Sequence, residues 1–103
     1  MAKIHLIIPA AGAGSRMRNP IPKQFSSIGS KTIIEWIEFI FSNISSIHSI
    51  SIAVNPNERY IESISHRFSS KTTIYKSGGG TRSETVLNTL NQIKKIADVN
   101  DWV

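Results

Sequence analysis

Residues 4–17 read Ile-His-Leu-Ile-Ile-Pro-Ala-Ala-Gly-Ala-Gly-Ser-Arg-Met, and this stretch decides the fold of the chain. The apolar run from Ile4 to Ile8 predicts a buried strand. Pro9 ends the hydrogen-bonded ladder of that strand. Gly12 and Gly14 follow it, and glycines let a backbone turn tightly or approach a ligand closely. The stretch therefore predicts a first strand followed by a glycine-rich turn.

Two cations, Arg16 and Lys23, follow the glycines of this turn. Exposed backbone N–H groups together with positive charge suit a polyphosphate. The Gly-x-Gly pattern alone is a weak signal, because it lacks the third glycine of the dinucleotide fingerprint and the Gly-Lys-Ser/Thr of a P-loop. The residues by themselves leave open a simple tight turn with a solvated arginine and lysine.

Length and composition predict one small globular domain over residues 1–103, with 40% hydrophobic and 18% charged residues. No apolar run approaches the roughly 20 residues of a membrane span, and we expect no signal peptide. The chain has no cysteine, which fits a cytoplasmic protein. The net charge of +5 is scattered along the sequence, so we expect no nucleic-acid surface and no membrane partner.

Strands and helices alternate along the rest of the chain. The predicted elements are helix Ile33–Phe41, strand Ile47–Val54, helix Pro56–Phe68, strand Thr72–Lys76, helix Ser83–Ala97 and a strand start at Trp102–Val103. Such alternation predicts an α/β fold with a mostly parallel sheet and helices on both faces, in three layers. Within the first strand, His5 is expected to be half-buried rather than catalytic.

Helical periodicity also predicts which faces of the helices are buried. The apolar sets are Ile33, Ile34, Ile37, Ile40 and Phe41 on the first helix, and Val86, Leu90, Ile93 and Ala97 on the last. Thr32 is the expected N-cap of the first helix. Residues 9–31 are expected to form one long loop, and long loops in compact domains are usually functional.

A second glycine-rich turn, Ser77-Gly78-Gly79-Gly80-Thr81-Arg82, follows the third predicted strand and opens the last helix. Ligands of parallel α/β sheets bind at the carboxyl ends of the strands, so both glycine turns are expected at one edge. Backbone groups of this turn and the hydroxyls of Thr81, Ser83 and Thr85 are suited to a pyrimidine edge. For Arg82 an alternative is open, namely an ion pair with a carboxylate beneath the loop.

Three motifs together resemble a known family. They are Pro-Ala-Ala-Gly-x-Gly-x-Arg-Met at residues 9–17, Pro-Lys-Gln-Phe at residues 22–25, and the segment 78–86, which is similar to Gly-Gly-x-x-Arg-x-x-Ser-Val. The chain resembles the sugar- and polyol-phosphate nucleotidyltransferases, and among them the 2-C-methyl-D-erythritol 4-phosphate cytidylyltransferase family. The resemblance covers essentially the whole chain and implies a Rossmann-like nucleotidyltransferase fold, truncated here.

The resemblance implies transfer of CMP from CTP to 2-C-methyl-D-erythritol 4-phosphate with release of pyrophosphate, in the non-mevalonate route to isoprenoids. Arg16 and Lys23 are the implied catalytic residues. The implied nucleotide-binding residues are Ala10, Ala11, Gly12, Ala13, Gly14, Gly78, Gly79, Gly80, Arg82 and Thr85. Two departures stand out, since Gly80 occupies an often acidic position and Thr85 replaces the usual serine.

The family also implies Mg²⁺, a homodimer and a longer chain. Its metal-binding aspartate belongs to a His-Asp-Ala-Ala-Arg-Pro segment beyond Val103, so no residue here is a predicted metal ligand, and Asp98 and Asp101 are expected to be turn residues. We expect the 103 residues alone to be inactive, with a complementing C-terminal chain as one possible partner. The alternatives are a cytidylyltransferase for ribitol 5-phosphate or another polyol phosphate, and a non-catalytic nucleotide-binding remnant or subunit of a split enzyme.

Overall fold

The computed structural model describes residues 3–11, 25–97 and 101–103. In chain order the elements are β1 (Ile4–Pro9), β2 (Ser27–Ile28), β3 (Lys31–Thr32), α1 (Ile33–Ser42), β4 (Ile47–Ala53), α2 (Tyr60–Ile64), β5 (Thr72–Tyr75) and α3 (Arg82–Ile93). A 3₁₀ turn, Ser65–Arg67, extends α2. No helix of the described residues is long and apolar enough to cross a bilayer.

The central sheet is parallel, with β4 between β1 and β5. On the outer side of β1, Trp102 pairs with Ile4 in an isolated parallel bridge. The spatial order is therefore β5, β4, β1 and the segment at Trp102. The predicted parallel sheet is confirmed, and the predicted strand start at Trp102 is confirmed as this single bridge.

The main core lies on the face of the sheet that α1 and α2 cover. Alternate residues of a strand point to opposite faces, and Ile50 and Ile52 of β4 belong to this core. The remaining buried members of the cluster are Ala10, Phe25, Ile34, Ile47, Val54, Ile61 and Ile64. Helix α3 contacts β1 and β4 and does not contribute to that cluster, so helices cover both faces as predicted.

The start of α1 is fixed by a capping box, which confirms Thr32 as the N-cap. The Glu35 amide donates to Thr32 Oγ1 at 3.3 Å, and the Thr32 amide donates to Glu35 Oε1 at 3.3 Å. This reciprocal pair satisfies two N–H groups that a helix end leaves without intrahelical partners.

The predicted buried face of α1 is wrong in part. Ile34 is buried as expected, but Ile40 is 57% exposed, whereas Glu35 and Glu38 are each only 4% exposed. The periodicity of the apolar residues predicted a face of α1 that lies about one position away from the buried face. The difference arises because the buried carboxylates of Glu35 and Glu38 both have hydrogen-bond partners.

Glu38 Oε2 accepts three hydrogen bonds from the segment that leads into β5. The donors are the Ser69 amide at 3.0 Å, Ser69 Oγ at 2.9 Å and Thr72 Oγ1 at 2.5 Å. Glu35 pairs with the half-exposed guanidinium of Arg67 at 3.3 Å. Buried carboxylates with this many donors are stable in an interior.

Two further predictions need correction. The expected loop over residues 9–31 contains β2, which pairs with β3 in an antiparallel hairpin that turns at Gly29 with φ of 66°. Pro56 does not begin a helix, because α2 starts only at Tyr60. Just before that helix, Glu58 Oε1 accepts the amides of residues 59 and 60 at 2.8 Å each. Strands of two residues are too short to show an alternating pattern, which is why the hairpin was not predicted.

The last helix is shorter than predicted and turns a partly different face to the sheet, with Ile93 buried as expected. Its buried residues are Thr85, Thr89 and Ile93, and it ends at Ile93 instead of Ala97. Leu87 is exposed, and Val86 and Leu90 are only half-buried. The neighbouring strand β4 carries the small buried residues Ser51 and Ala53, which alternate with the core residues Ile50 and Ile52.

His5 is fully buried rather than half-buried, with 1% exposure. Its Nδ1 lies 2.7 Å from Ser49 Oγ, and its Nε2 lies 2.7 Å from Asp101 Oδ2. Asp101 Oδ1 also accepts the Lys3 amide at 2.9 Å. Asp101, expected only as a turn residue, thus joins the start of β1 to the segment that contains Trp102.

Candidate functional site

A cleft of ≈ 330 Å³ lies at the carboxyl ends of the parallel strands. Its lining residues are Pro9, Ala11, Asn55, Gly79, Gly80, Thr81, Arg82 and Thr85. The cleft combines the end of β1 with the second glycine-rich turn and the start of α3. The prediction that both turns share one edge of the sheet is thus confirmed for the described part of the first turn.

The two turns touch at Gly78. A Cβ atom there would lie 2.6 Å from Ala11 Cβ and 2.9 Å from Val54 O, which no side chain could tolerate without movement. The Gly78 amide donates to Val54 O at 2.9 Å, and the Ala10 amide donates to Ala53 O at 2.7 Å. Glycine is therefore required at residue 78, because two chain segments approach each other too closely there to leave room for a side chain.

The amides of the next two glycines are bonded to side chains of α3. The Gly79 amide donates to Thr85 Oγ1 at 3.0 Å, and the Gly80 amide donates to Glu84 Oε2 at 2.8 Å. A Cβ on Gly79 would lie 2.5 Å from Glu84 Cβ, so the loop lies directly against the helix. The glycine-rich turn is thus ordered by the helix that follows it.

Two of the three hydroxyls expected to contact a base, those of Thr81 and Thr85, are engaged within the chain. Thr85 Oγ1 donates to Thr81 O at 3.0 Å, and Thr81 Oγ1 accepts the Glu84 amide at 3.1 Å as the N-cap of α3. Thr85 lines the cleft, yet only 1% of it is exposed. These two threonines shape the wall of the cleft, and their hydroxyls already have partners.

Arg82 and the N-terminus of α3 bring positive charge to the cleft, next to the Glu84 carboxylate that accepts the Gly80 amide. The first N–H groups of a helix lack intrahelical partners and favour anions. Arg82 lines the cleft and is exposed. Among the residues that the structure describes, Arg82 forms no salt bridge, so the alternative in which it pairs with a carboxylate beneath the loop is not observed.

The structure describes only part of the predicted site. Ala10 is buried, and Ala11 lines the cleft opposite the second turn. The other predicted site residues of the two N-terminal motifs, namely Gly12, Ala13, Gly14, Arg16 and Lys23, lie outside the described residues. Their predicted roles therefore stay predictions.

Asn55 lines the cleft and was not among the predicted site residues. The sequence interpretation assigned it only to a turn, and its Oδ1 does accept the Asn57 amide at 3.4 Å. The signal that could have identified it is its position two residues after β4, the strand between the two that carry the glycine turns. Residues at that position of a parallel sheet face its ligand edge.

The described lining of the cleft contains no carboxylate. Across residues 3–11, 25–97 and 101–103, no three His, Cys, Asp or Glu side chains are grouped as metal ligands. Mg²⁺ prefers carboxylate and phosphate oxygens. The described residues therefore do not fit a magnesium site of their own.

Comparison with known proteins gives one consistent family. The model of the 2-C-methyl-D-erythritol 4-phosphate cytidylyltransferase family matches residues 4–103. The protein of that name from Thiobacillus denitrificans is 33% identical over 102 residues, 98% of this chain and 44% of the relative. The one from Haemophilus ducreyi is 40% identical over 100 residues, 97% of this chain and 42% of the relative.

The fold comparison agrees with the sequence comparison. A crystal structure of 4-diphosphocytidyl-2C-methyl-D-erythritol synthase is similar with a TM-score of 0.80 and 30% identity, over 95% of this chain and 42% of that chain. The chain thus spans less than half the length of the relatives it matches. The family match, which extends over nearly all of the sequence, shows that this chain belongs to the 2-C-methyl-D-erythritol 4-phosphate cytidylyltransferase family.

Proposed function

We propose that this chain forms the CTP-binding part of a cytidylyltransferase that transfers CMP from CTP to 2-C-methyl-D-erythritol 4-phosphate. The observation that carries the proposal is the cleft in which Ala11 and the glycine turn at residues 78–80 meet, within a chain that matches the family over residues 4–103. In this proposal the enzyme is cytoplasmic and homodimeric and belongs to the non-mevalonate route to isoprenoids.

CTP lies across the cleft in this proposal. Its base and ribose contact the turn at residues 78–81, whose backbone is already ordered by α3. The anionic part of the nucleotide is attracted by Arg82 and by the N-terminus of α3. Gly12, Ala13 and Gly14 contact the phosphates, as the family motif implies.

The chemical step is displacement at the α-phosphorus of CTP. A phosphate oxygen of the acceptor forms the new P–O bond as the bond to the β-phosphate oxygen breaks, and pyrophosphate leaves. Arg16 and Lys23 stabilise the negative charge that develops on the α-phosphate, because such reactions depend mainly on positioning and electrostatic stabilisation. Mg²⁺ belongs to the proposal as an ion that accompanies the CTP phosphates.

Calorimetric titration with CTP, and with ATP for comparison, tests the nucleotide site. We expect Arg82→Ala to weaken CTP binding about tenfold, since a charge-assisted contact is lost. Lys95→Ala removes the same charge beyond the other end of α3 and should leave the affinity unchanged. A folded chain that binds no CTP, or binds ATP equally well, would contradict the proposal.

A turnover assay with Mg²⁺ and both substrates tests the division of the site. We expect no CDP-methylerythritol from these 103 residues alone, because they span only 42–44% of the relatives. Addition of a polypeptide that corresponds to the C-terminal part of a relative should restore product. Product from the 103 residues alone would refute this division.

A further inference from the structure

Two threonines replace the expected apolar residues on the buried face of α3. Thr85 and Thr89 are one helical turn apart, with exposures of 1% and 0%. Buried hydroxyls require hydrogen-bond partners. Their partners show what this face of the helix does.

Thr89 connects α3 to the start of the glycine-rich turn. Its Oγ1 donates to Thr85 O at 2.7 Å and lies 2.7 Å from Ser77 Oγ. A hydroxyl has one proton, so Thr89 can serve both contacts only if Ser77 is the donor to Thr89 Oγ1. The Ser77 hydroxyl in the loop is therefore the donor, and Thr89 Oγ1 on the helix is the acceptor.

Thr85 repeats the same arrangement one turn earlier. It donates to Thr81 O, four residues back, and accepts the Gly79 amide. Both threonines thus direct their protons to the preceding turn of α3 and offer their oxygens to the loop. Two loop donors, the Ser77 hydroxyl and the Gly79 N–H, are satisfied in this way.

Ser77 is fixed at two points. Its hydroxyl bonds to Thr89, and its carbonyl accepts Asn88 Nδ2 at 3.0 Å. The three glycines that follow have wide conformational freedom, because glycine loses more backbone entropy on ordering than other residues. A fixed residue directly before them limits the positions that the turn can adopt.

We propose that Thr89 is a positioning residue for the nucleotide turn. Its hydroxyl anchors Ser77 and thereby sets where residues 78–80 lie in the cleft, without contact to the ligand. The proposal deepens the proposed function, because the turn is the part of the cleft assigned to the CTP base and ribose. Small displacements of a binding group cost affinity out of proportion to their size.

Two substitutions at the same position separate the hydroxyl from the volume of the side chain. Thr89→Val keeps the shape and removes the oxygen, whereas Thr89→Ser keeps the oxygen. We expect Thr89→Val to accelerate amide hydrogen exchange at Gly79 and Gly80 about tenfold, with β4 unchanged, and to weaken CTP binding by about the same factor. Thr89→Ser should resemble the wild type in both measurements.

Ser77→Ala tests the same bond from its other end and serves if Thr89→Val does not fold. Ser77→Ala should also accelerate amide exchange at Gly79 and Gly80. The double variant of Ser77→Ala and Thr89→Val should show a smaller effect than the sum of the two single variants, because it leaves no hydroxyl without its partner. Unchanged loop exchange in Ser77→Ala, or equal effects of Thr89→Val and Thr89→Ser, would overturn the proposal.

The two proposals fail in different ways. The proposed function is contradicted if the wild-type chain binds no CTP although its turn is protected from amide exchange. In that case the exchange data for the variants still test the role of Thr89. A chain that binds CTP equally with and without the Thr89 hydroxyl contradicts the positioning role alone.

Discussion

Gly78 shows how a single residue joins the two halves of the cleft. It lies against Ala11 on one side and the backbone at Val54 and Asn55 on the other. At Gly80, two residues later, an added Cβ atom would have only Glu84 Oε2 nearby, at 3.4 Å. Close packing therefore requires glycine at Gly78 and Gly79, against different neighbours, and does not require it at Gly80.

We expect Gly78→Ala to lower the free energy of unfolding by about 1–3 kcal/mol, since a methyl group has no room at this contact. Gly80→Ala is the matched control and should change it by less than about 0.5 kcal/mol. Urea denaturation followed by circular dichroism measures both. Equal losses from the two substitutions would mean that the contact with Ala11 is not the reason for the glycine.

At the scale of elements, α1 depends on a buried carboxylate that its sequence pattern did not reveal. Thr32 and the capping box were predictable because the residue types and their spacing carry the signal. The inward orientation of Glu38 was not, because it depends on Ser69 and Thr72, which lie more than 30 residues away in the sequence. Hydropathy records burial of apolar groups and contains no information on distant hydrogen-bond donors.

Glu38→Ala should therefore lower the free energy of unfolding by about 1–3 kcal/mol, because it leaves the part-buried Ser69 amide without its acceptor. Glu62→Ala is the control, since it breaks an exposed salt bridge with Lys76 worth well under about 1 kcal/mol. Thermal and urea unfolding of both variants provide the comparison. A cost for Glu38→Ala no larger than that for Glu62→Ala would show that the buried carboxylate is not stabilising.

At the scale of the whole molecule, the strand order brings the ends of the described chain together. The His5 amide donates to Trp102 O and the Trp102 amide to Lys3 O, each at 2.7 Å. The alternation of strands and helices was sufficient to predict a parallel sheet. It could not predict that a buried His5–Asp101 pair fixes the fourth strand position, because that contact joins residues 96 apart.

Asp101→Ala should loosen this edge of the sheet more than the rest. The substitution removes the acceptors of both His5 and the Lys3 amide. We expect amide exchange at His5 to rise at least tenfold, while β4 remains protected. Asp101→Asn retains an acceptor for the Lys3 amide and should show a smaller rise. Uniform acceleration across the sheet would instead indicate a general loss of stability.

In the proposed function, CTP binds where the two turns meet. Amide NMR spectra recorded during a CTP titration test this location, because the larger groove between β5 and α3, of ≈ 660 Å³, offers a competing location on the same helix. We predict the largest shift changes at Ala11, Gly79, Gly80 and Arg82. Changes centred on Asn91 and Gln92 in that groove, or no changes in a folded chain, would contradict the account.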